Sequence, residues 1–60
     1  MIHCVEHLAI ARRLDVVEFK KWASIHATQH GAFLDEQGVL LVTTWYVQSV
    51  VDAYRLFLQE

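Results

Sequence analysis

The hydrophobic positions of the first thirty residues recur at the spacing of amphipathic helices. This stretch contains neither glycine nor proline, which favours helix. One apolar stripe precedes residue 14 and a second follows it, each on one side of a helix that turns about 100° per residue. The stripes comprise Ile2, Val5, Leu8 and Ala9, and then Val16, Phe19, Trp22, Ala23 and His26. The pattern predicts helix A over residues 3–13 and helix B over residues 15–30.

The predicted boundary between helices A and B rests on a capping box. Asp15 provides an N-cap acceptor and Glu18 stands at N3, while Leu14 and Phe19 can form a hydrophobic staple. Gly31 suits a left-handed C-terminal cap after helix B. One continuous helix is the alternative, because the two stripes stay almost in line. Its back would then carry a second apolar stripe, which consists of Ile10, Leu14, Val17 and Ile25.

A small hairpin and a third helix are predicted in the second half of the chain. Apolar runs at residues 32–35 and 39–43 flank a polar connection that ends in Gly38. Thr43 or Thr44 can then cap helix C, over residues 44–59. Its apolar face comprises Val47, Val50, Val51, Tyr54, Phe57 and Leu58. An alternative is one strand over residues 39–47, since periodicity alone does not classify short apolar runs.

Together these elements predict an α+β, mainly α fold of three helices and a small β-hairpin, in a single domain over residues 1–60. A chain of 60 residues has a small core and little stability in reserve. Small folds compensate with disulfides, a metal or a partner subunit, and the single Cys4 cannot form an intrachain disulfide. Because 55% of the residues are hydrophobic, apolar side chains should stay exposed and mark a partner site.

The expected interface lies on the polar side of helix C. Trp45 and Leu56 fall there at neighbouring angles, where a monomer has no use for them. With the adjacent Tyr46, they are the candidate interface residues, because aromatic side chains are favoured anchors in protein interfaces. The sequence therefore predicts a homodimer.

Charge gives a second candidate site. Arg12, Arg13, Lys20 and Lys21 are four of the five basic residues, and residues 8–16 resemble the first helix and turn of a helix-turn-helix. The order helix, helix, hairpin, helix also suits a small winged-helix or excisionase-like regulator that binds DNA. Against this interpretation, the turn lacks the usual glycine and the net charge is −2.

The four histidines form two pairs with a spacing of four residues, His3/His7 and His26/His30. On a helix each pair could bind Zn²⁺, with Cys4 as a further ligand, but no glutamate follows the first histidine as in hydrolytic zinc helices. Cys4 and His7 lack an orienting third group for nucleophilic catalysis. We therefore expect no metal, no cofactor and no catalytic residues, and an apolar role for Cys4.

The remaining signals concern location and function class. We expect neither a signal peptide nor a membrane-spanning segment, and a free cysteine favours the cytoplasm. In size and composition the chain resembles the small accessory proteins of phages and mobile elements, a resemblance that involves no motif. We expect a non-catalytic interaction protein that binds itself and another protein, with DNA binding as the alternative.

Overall fold

The chain begins with a short strand and alternates between helices and strands. The computed structural model describes all 60 residues. Its elements in chain order are β1 (Ile2–Cys4), α1 (Val5–Ala11), α2 (Val16–His26), a 3-10 helix (Ala27–His30), β2 (Phe33–Leu34), β3 (Leu40–Thr43) and α3 (Thr44–Leu58). The predicted α+β, mainly α fold is confirmed. No helix is both long and apolar enough to cross a membrane.

The predicted break between the first two helices is confirmed, and the continuous helix is excluded. The carboxylate of Asp15 accepts a hydrogen bond of 2.9 Å from the backbone N–H of Glu18, which satisfies one amide at the start of α2. The four-residue turn places Arg13 in the left-handed region, with φ 57°. Glycine adopts this conformation at lower cost, so Arg13 occupies the place where a helix-turn-helix often has glycine.

The sequence pattern missed strand β1, which corrects the start of helix A from residue 3 to Val5. Residues 2–4 pair with β3 in an antiparallel register that sets Ile2 opposite Thr43 and Cys4 opposite Leu41. The N–H and the hydroxyl of Thr44 both donate to the carbonyl of Met1, at 2.9 and 3.1 Å. Three residues are too few to show a strand period, so only these distant partners define β1.

Strand β3 is the centre of a three-stranded antiparallel sheet with the order β1-β3-β2. The predicted hairpin forms β2 and β3, and its turn is closed by Asp35, whose carboxylate accepts from the backbone N–H groups of Gln37 and Val39 at 2.8 and 2.9 Å. Because β3 ends at Thr43 and α3 begins at Thr44, the alternative of one strand over residues 39–47 is wrong.

The end of helix B differs from its prediction. The α-helix ends at His26 and continues as the 3-10 helix to His30, after which Gly31 takes the predicted left-handed cap with φ 103°. At the start of α3, Thr43 is the N-cap residue but its side chain makes no capping hydrogen bond. The carbonyl of Met1 accepts the backbone N–H of Thr44 at that end instead.

The core lies between the helices and the sheet and consists of hydrophobic residues. It contains 13 buried residues and no buried charge. The ring of Phe19 meets that of Tyr54 edge-on at a centroid distance of 4.9 Å, which joins α2 to α3. Three residues that the patterns assigned to the core are exposed, namely Ile2, Phe57 and Leu58. Ile2 belongs to an edge strand, and the other two lie in the last turn of α3.

Candidate functional site

Helix α3 has two faces of opposite environment. Val47, Val50, Val51 and Tyr54 are buried against the rest of the domain. On the other face, Trp45 is 91% exposed and Leu56 is 62% exposed. We call the exposed row Trp45, Ser49, Asp52 and Leu56 the outer stripe, since its members follow one another along this face.

The exposure of Trp45 contrasts with the environment of the second tryptophan. Trp22 is 6% exposed and its ring lies near those of Phe19, Tyr54 and Phe57. No aromatic ring within the chain stacks on Trp45. A large apolar side chain that packs on nothing is typical of an anchor for another molecule.

Tyr46, the third predicted interface residue, has a structural role that the sequence did not indicate. It is 50% exposed, and its Cγ lies 2.4 Å from the place where a Cβ on Gly31 would stand. The ring therefore covers Gly31 on one side and meets solvent on the other. Tyr46 lies about 100° around the helix from Trp45 and so flanks the outer stripe.

A second exposed apolar surface lies on the first two helices. Ile10, Val17 and Ile25 are all exposed, whereas Leu14 packs against the core. Only three residues of the back stripe that was expected for one continuous helix are therefore exposed. We call Ile10, Val17 and Ile25 the helical back surface. It is separate in sequence from the outer stripe of α3.

The four basic residues do not share one environment. Arg12 is half-buried and its guanidinium donates to the side-chain oxygen of Gln48 on α3, at 3.5 Å. Lys21 forms a 3.8 Å ion pair with Glu18 on the same helix. Lys20 lines a groove of about 380 Å³ together with Glu6 and the hairpin residue Gly38. Arg13 is exposed in the turn.

His3 and His7 do not share a helix, because His3 belongs to β1. They nevertheless line one groove of about 540 Å³ with Arg12, Thr44 and Gln48. The ring nitrogen Nε2 of His3 lies 3.1 Å from the Thr44 hydroxyl oxygen. That contact gives His3 a structural partner at the start of α3.

Cys4 and His7, the pair considered above as a nucleophile and base, line different grooves. Cys4 is half-buried. No group of three or more His, Cys, Asp or Glu side chains is placed to hold a metal ion.

His26 and His30 do lie near each other, but around an aromatic ring. Both pack beside Trp22, with ring centroid distances of 5.8 and 6.1 Å, and Phe57 lies 6.5 Å from His26. The sequence pattern indicated His26 as a flank of the core but did not reveal this cluster. The spacing of Trp22, His26 and His30 by four residues is the signal that could have suggested it.

The outer stripe of α3 is the strongest candidate site, since it presents the more exposed of the two tryptophans on the outward face of a 15-residue helix. Comparisons of the chain with protein-family models, with curated proteins and with solved structures found no match.

Proposed function

We propose that the chain is a non-catalytic interaction protein that forms a homodimer through α3 and binds a partner protein. The observation that carries the proposal is Trp45, 91% exposed on the outward face of a helix whose inward face is fully packed. Leu56 lies on the same face. Covering such side chains stabilises an assembly by roughly 1.5–3 kcal/mol each.

The size of the domain supports the same proposal. Its core has 13 buried residues, and small domains of this kind have little stability to lose. Exposed large hydrophobic residues are as numerous as the buried ones, and they occur on all three helices and the hairpin. A dimer on α3 would leave Ile10, Val17 and Ile25 on the helical back surface, which suits a further protein partner. The proposed role is that of an accessory or regulatory protein that acts by occupying its partner.

The test is the double variant Trp45→Ala with Leu56→Ala. Both side chains point away from the core, so the variant should fold, but it should sediment as a monomer and melt at a lower temperature than the parent. Gln29→Ala is the matched control, because Gln29 is exposed on the 3-10 helix, away from the outer stripe, and should change neither property. If the double variant stays dimeric, the interface is not on α3, and the helical back surface becomes the place to test.

DNA binding is the second candidate function, and the element order favours it. Two helices joined by a four-residue turn and followed by a hairpin are the components of a winged helix, in which the second helix enters the major groove. In this chain that helix is α2, whose exposed side carries Lys20, Lys21 and Ser24.

Electrostatics rank DNA binding below protein binding. Lys21 is paired with Glu18, the hairpin turn carries Asp35 and Glu36 and no basic residue, and the net charge is −2. Phosphate affinity needs several unopposed cations and falls steeply with salt.

The decisive comparison uses the parent and the variant Arg13→Ala with Lys20→Ala, titrated onto fluorescent duplex DNA at two salt concentrations. The protein-binding proposal predicts that the parent and the variant both bind the duplex weakly and do not differ in biological effect. Tight, salt-dependent binding that the variant loses would establish DNA as the target instead.

A further inference from the structure

The outer stripe of α3 has the spacing of a helix-packing seam. Its residues Trp45, Ser49, Asp52 and Leu56 are separated by four, three and four positions, as the a and d positions of a heptad are. All four are exposed. The stripe therefore offers a ready contact line for one other helix that crosses at a shallow angle.

The stripe is also symmetric about its own midpoint, between Val50 and Val51. Trp45 and Leu56 lie at equal distances on either side of that point, and so do Ser49 and Asp52. In a two-fold symmetric dimer, both subunits use the same surface patch. If one residue contacts a second residue of the partner subunit, the second residue contacts the first in return. We infer that the partner on this face is a second copy of the chain, with the two α3 helices antiparallel. The inference rests on the homodimer proposed above and specifies its register.

The antiparallel register matches each side chain to a complementary one. Trp45 packs on Leu56 of the partner subunit at both ends of the contact. Ser49 lies opposite Asp52 of the partner subunit, so the hydroxyl can donate to the carboxylate. Asp52 accepts from Gln48 of its own chain through Oδ1, at 2.8 Å, which leaves Oδ2 as the acceptor for that bond.

A parallel pairing of the same faces is less favourable. It would set Asp52 directly against Asp52 of the partner subunit, and like charges that face each other destabilise a contact. The antiparallel register offsets these carboxylates by three residues, about 4.5 Å along the helix axis. Ser49 and Asp52 at the centre of the seam are polar positions of the kind that specify register at a cost in affinity.

The rest of each subunit does not obstruct an antiparallel contact between the two α3 helices. The outer stripe lies opposite the buried face of α3, so each domain stands behind its own helix and the two domains do not meet elsewhere. A helix of 15 residues is about 22 Å long. Such a contact is smaller than the roughly 800 Å² per partner of a standard interface, and we expect dissociation in the micromolar range.

The experiment places opposite charges at Ser49 and measures the dimer dissociation constant by sedimentation equilibrium. Ser49→Lys should tighten the dimer about fivefold, because two symmetry-related lysines then face Asp52 of the other subunit. Ser49→Asp should weaken the dimer by a similar factor. The double variant Ser49→Asp with Asp52→Lys should restore it, because the opposite charges then face each other again.

Ser24→Lys is the matched control, since it makes the same substitution and the same change in net charge at an exposed serine on α2, away from the outer stripe. Its dissociation constant should stay close to that of the parent, and added salt should remove the gain in Ser49→Lys. Circular dichroism of each variant checks that the fold is intact.

The possible results distinguish a wrong helix register from the absence of a dimer. If Ser49→Lys weakens a dimeric parent, the helices are parallel and the register is wrong. If neither charge at Ser49 changes the dissociation constant of a dimeric parent, the interface lies off the outer stripe, which overturns the register and leaves the homodimer. A monomeric parent overturns both.

Discussion

Gly31 is constrained in two ways at the end of the 3-10 helix. Its φ of +103° lies in the left-handed region, and a Cβ there would stand within 2.4 to 2.8 Å of three atoms at the base of the Tyr46 side chain. Those atoms are close to the backbone of α3 and can yield only if the helix shifts. Gly38 also has a positive φ, +80°, but nothing lies within 4 Å of its Cβ position.

This difference predicts the effects of alanine at the two glycines. Gly38→Ala should cost about 1 kcal/mol of unfolding free energy, the strain of a left-handed alanine. Gly31→Ala adds a steric clash and should cost about 2–4 kcal/mol. Urea unfolding of both variants measures the difference. Equal losses would show that Tyr46 does not pack against Gly31 in solution.

Tyr54 is the residue whose ionisation links stability to pH. Burial raises its pKa above the ordinary value of 10.0, and the negative charges of Asp15 and Glu18 raise the pKa further. The folded chain therefore keeps the phenol proton at a pH where the unfolded chain has begun to lose it. The unfolding free energy associated with Tyr54 is complete below pH 10 and falls as the pH rises above it.

The variant Tyr54→Phe should therefore flatten the alkaline limb of the stability profile. Melting temperatures measured between about pH 9 and pH 11 should fall more steeply in the parent than in the variant. Identical slopes for the parent and Tyr54→Phe would contradict the raised pKa of Tyr54.

At the scale of elements, the start of α2 depends on a single side chain. The Asp15 carboxylate accepts from the N–H of Glu18 at 2.9 Å, and the N–H of Phe19 donates to the Asp15 carbonyl at 2.8 Å. The cap thus begins the helix that carries Phe19 and Trp22 into the core. Loss of the side-chain acceptor should loosen the whole α1–α2 turn.

Asp15→Ala should lower the unfolding free energy by about 1 kcal/mol, whereas Asp15→Asn keeps an acceptor oxygen and should lose only a fraction of that. Chemical denaturation compares the two variants at neutral pH. A loss of the same size in Asp15→Asn would show that the charge near the helix N-terminus, rather than the hydrogen bond, stabilises α2.

The elements also show what the sequence could and could not predict. The α2 cap, the Gly31 terminator and the hairpin follow from local patterns, because their hydrogen-bond partners lie within a few residues, and the packed face of α3 follows from the helical period. Strand β1 does not, since its hydrogen-bond partners on β3 are about 40 residues away. Phe57 and Leu58 repeat the apolar period of α3 but lie in its last turn, where Phe57 stays half-exposed beside Trp22 and Leu58 is exposed.

The features of the candidate site also differ in whether the local sequence could predict them. Trp45 and Leu56 could be placed on the outward face from the helical period alone, and the structure bears out their exposure. The packing of Tyr46 on Gly31 and the groove shared by His3 and His7 depend on contacts between distant elements. Neither has a signature in the local sequence.

The whole molecule combines a small core with a large exposed apolar surface. The folded chain exposes 4310 Å² and spans 32 × 21 × 21 Å. A second copy on α3 would cover the most exposed tryptophan on the side away from the core. It would also make stability depend on protein concentration, because dissociation and unfolding are then linked.

Sedimentation equilibrium of the unmodified protein tests this claim most directly. At about 100 μM, above the expected dissociation constant, a homodimer should have a mass close to two chains of 7.0 kDa. The mass should shift toward one chain on dilution. A mass of one chain across the whole concentration range would show that the chain does not form the proposed homodimer.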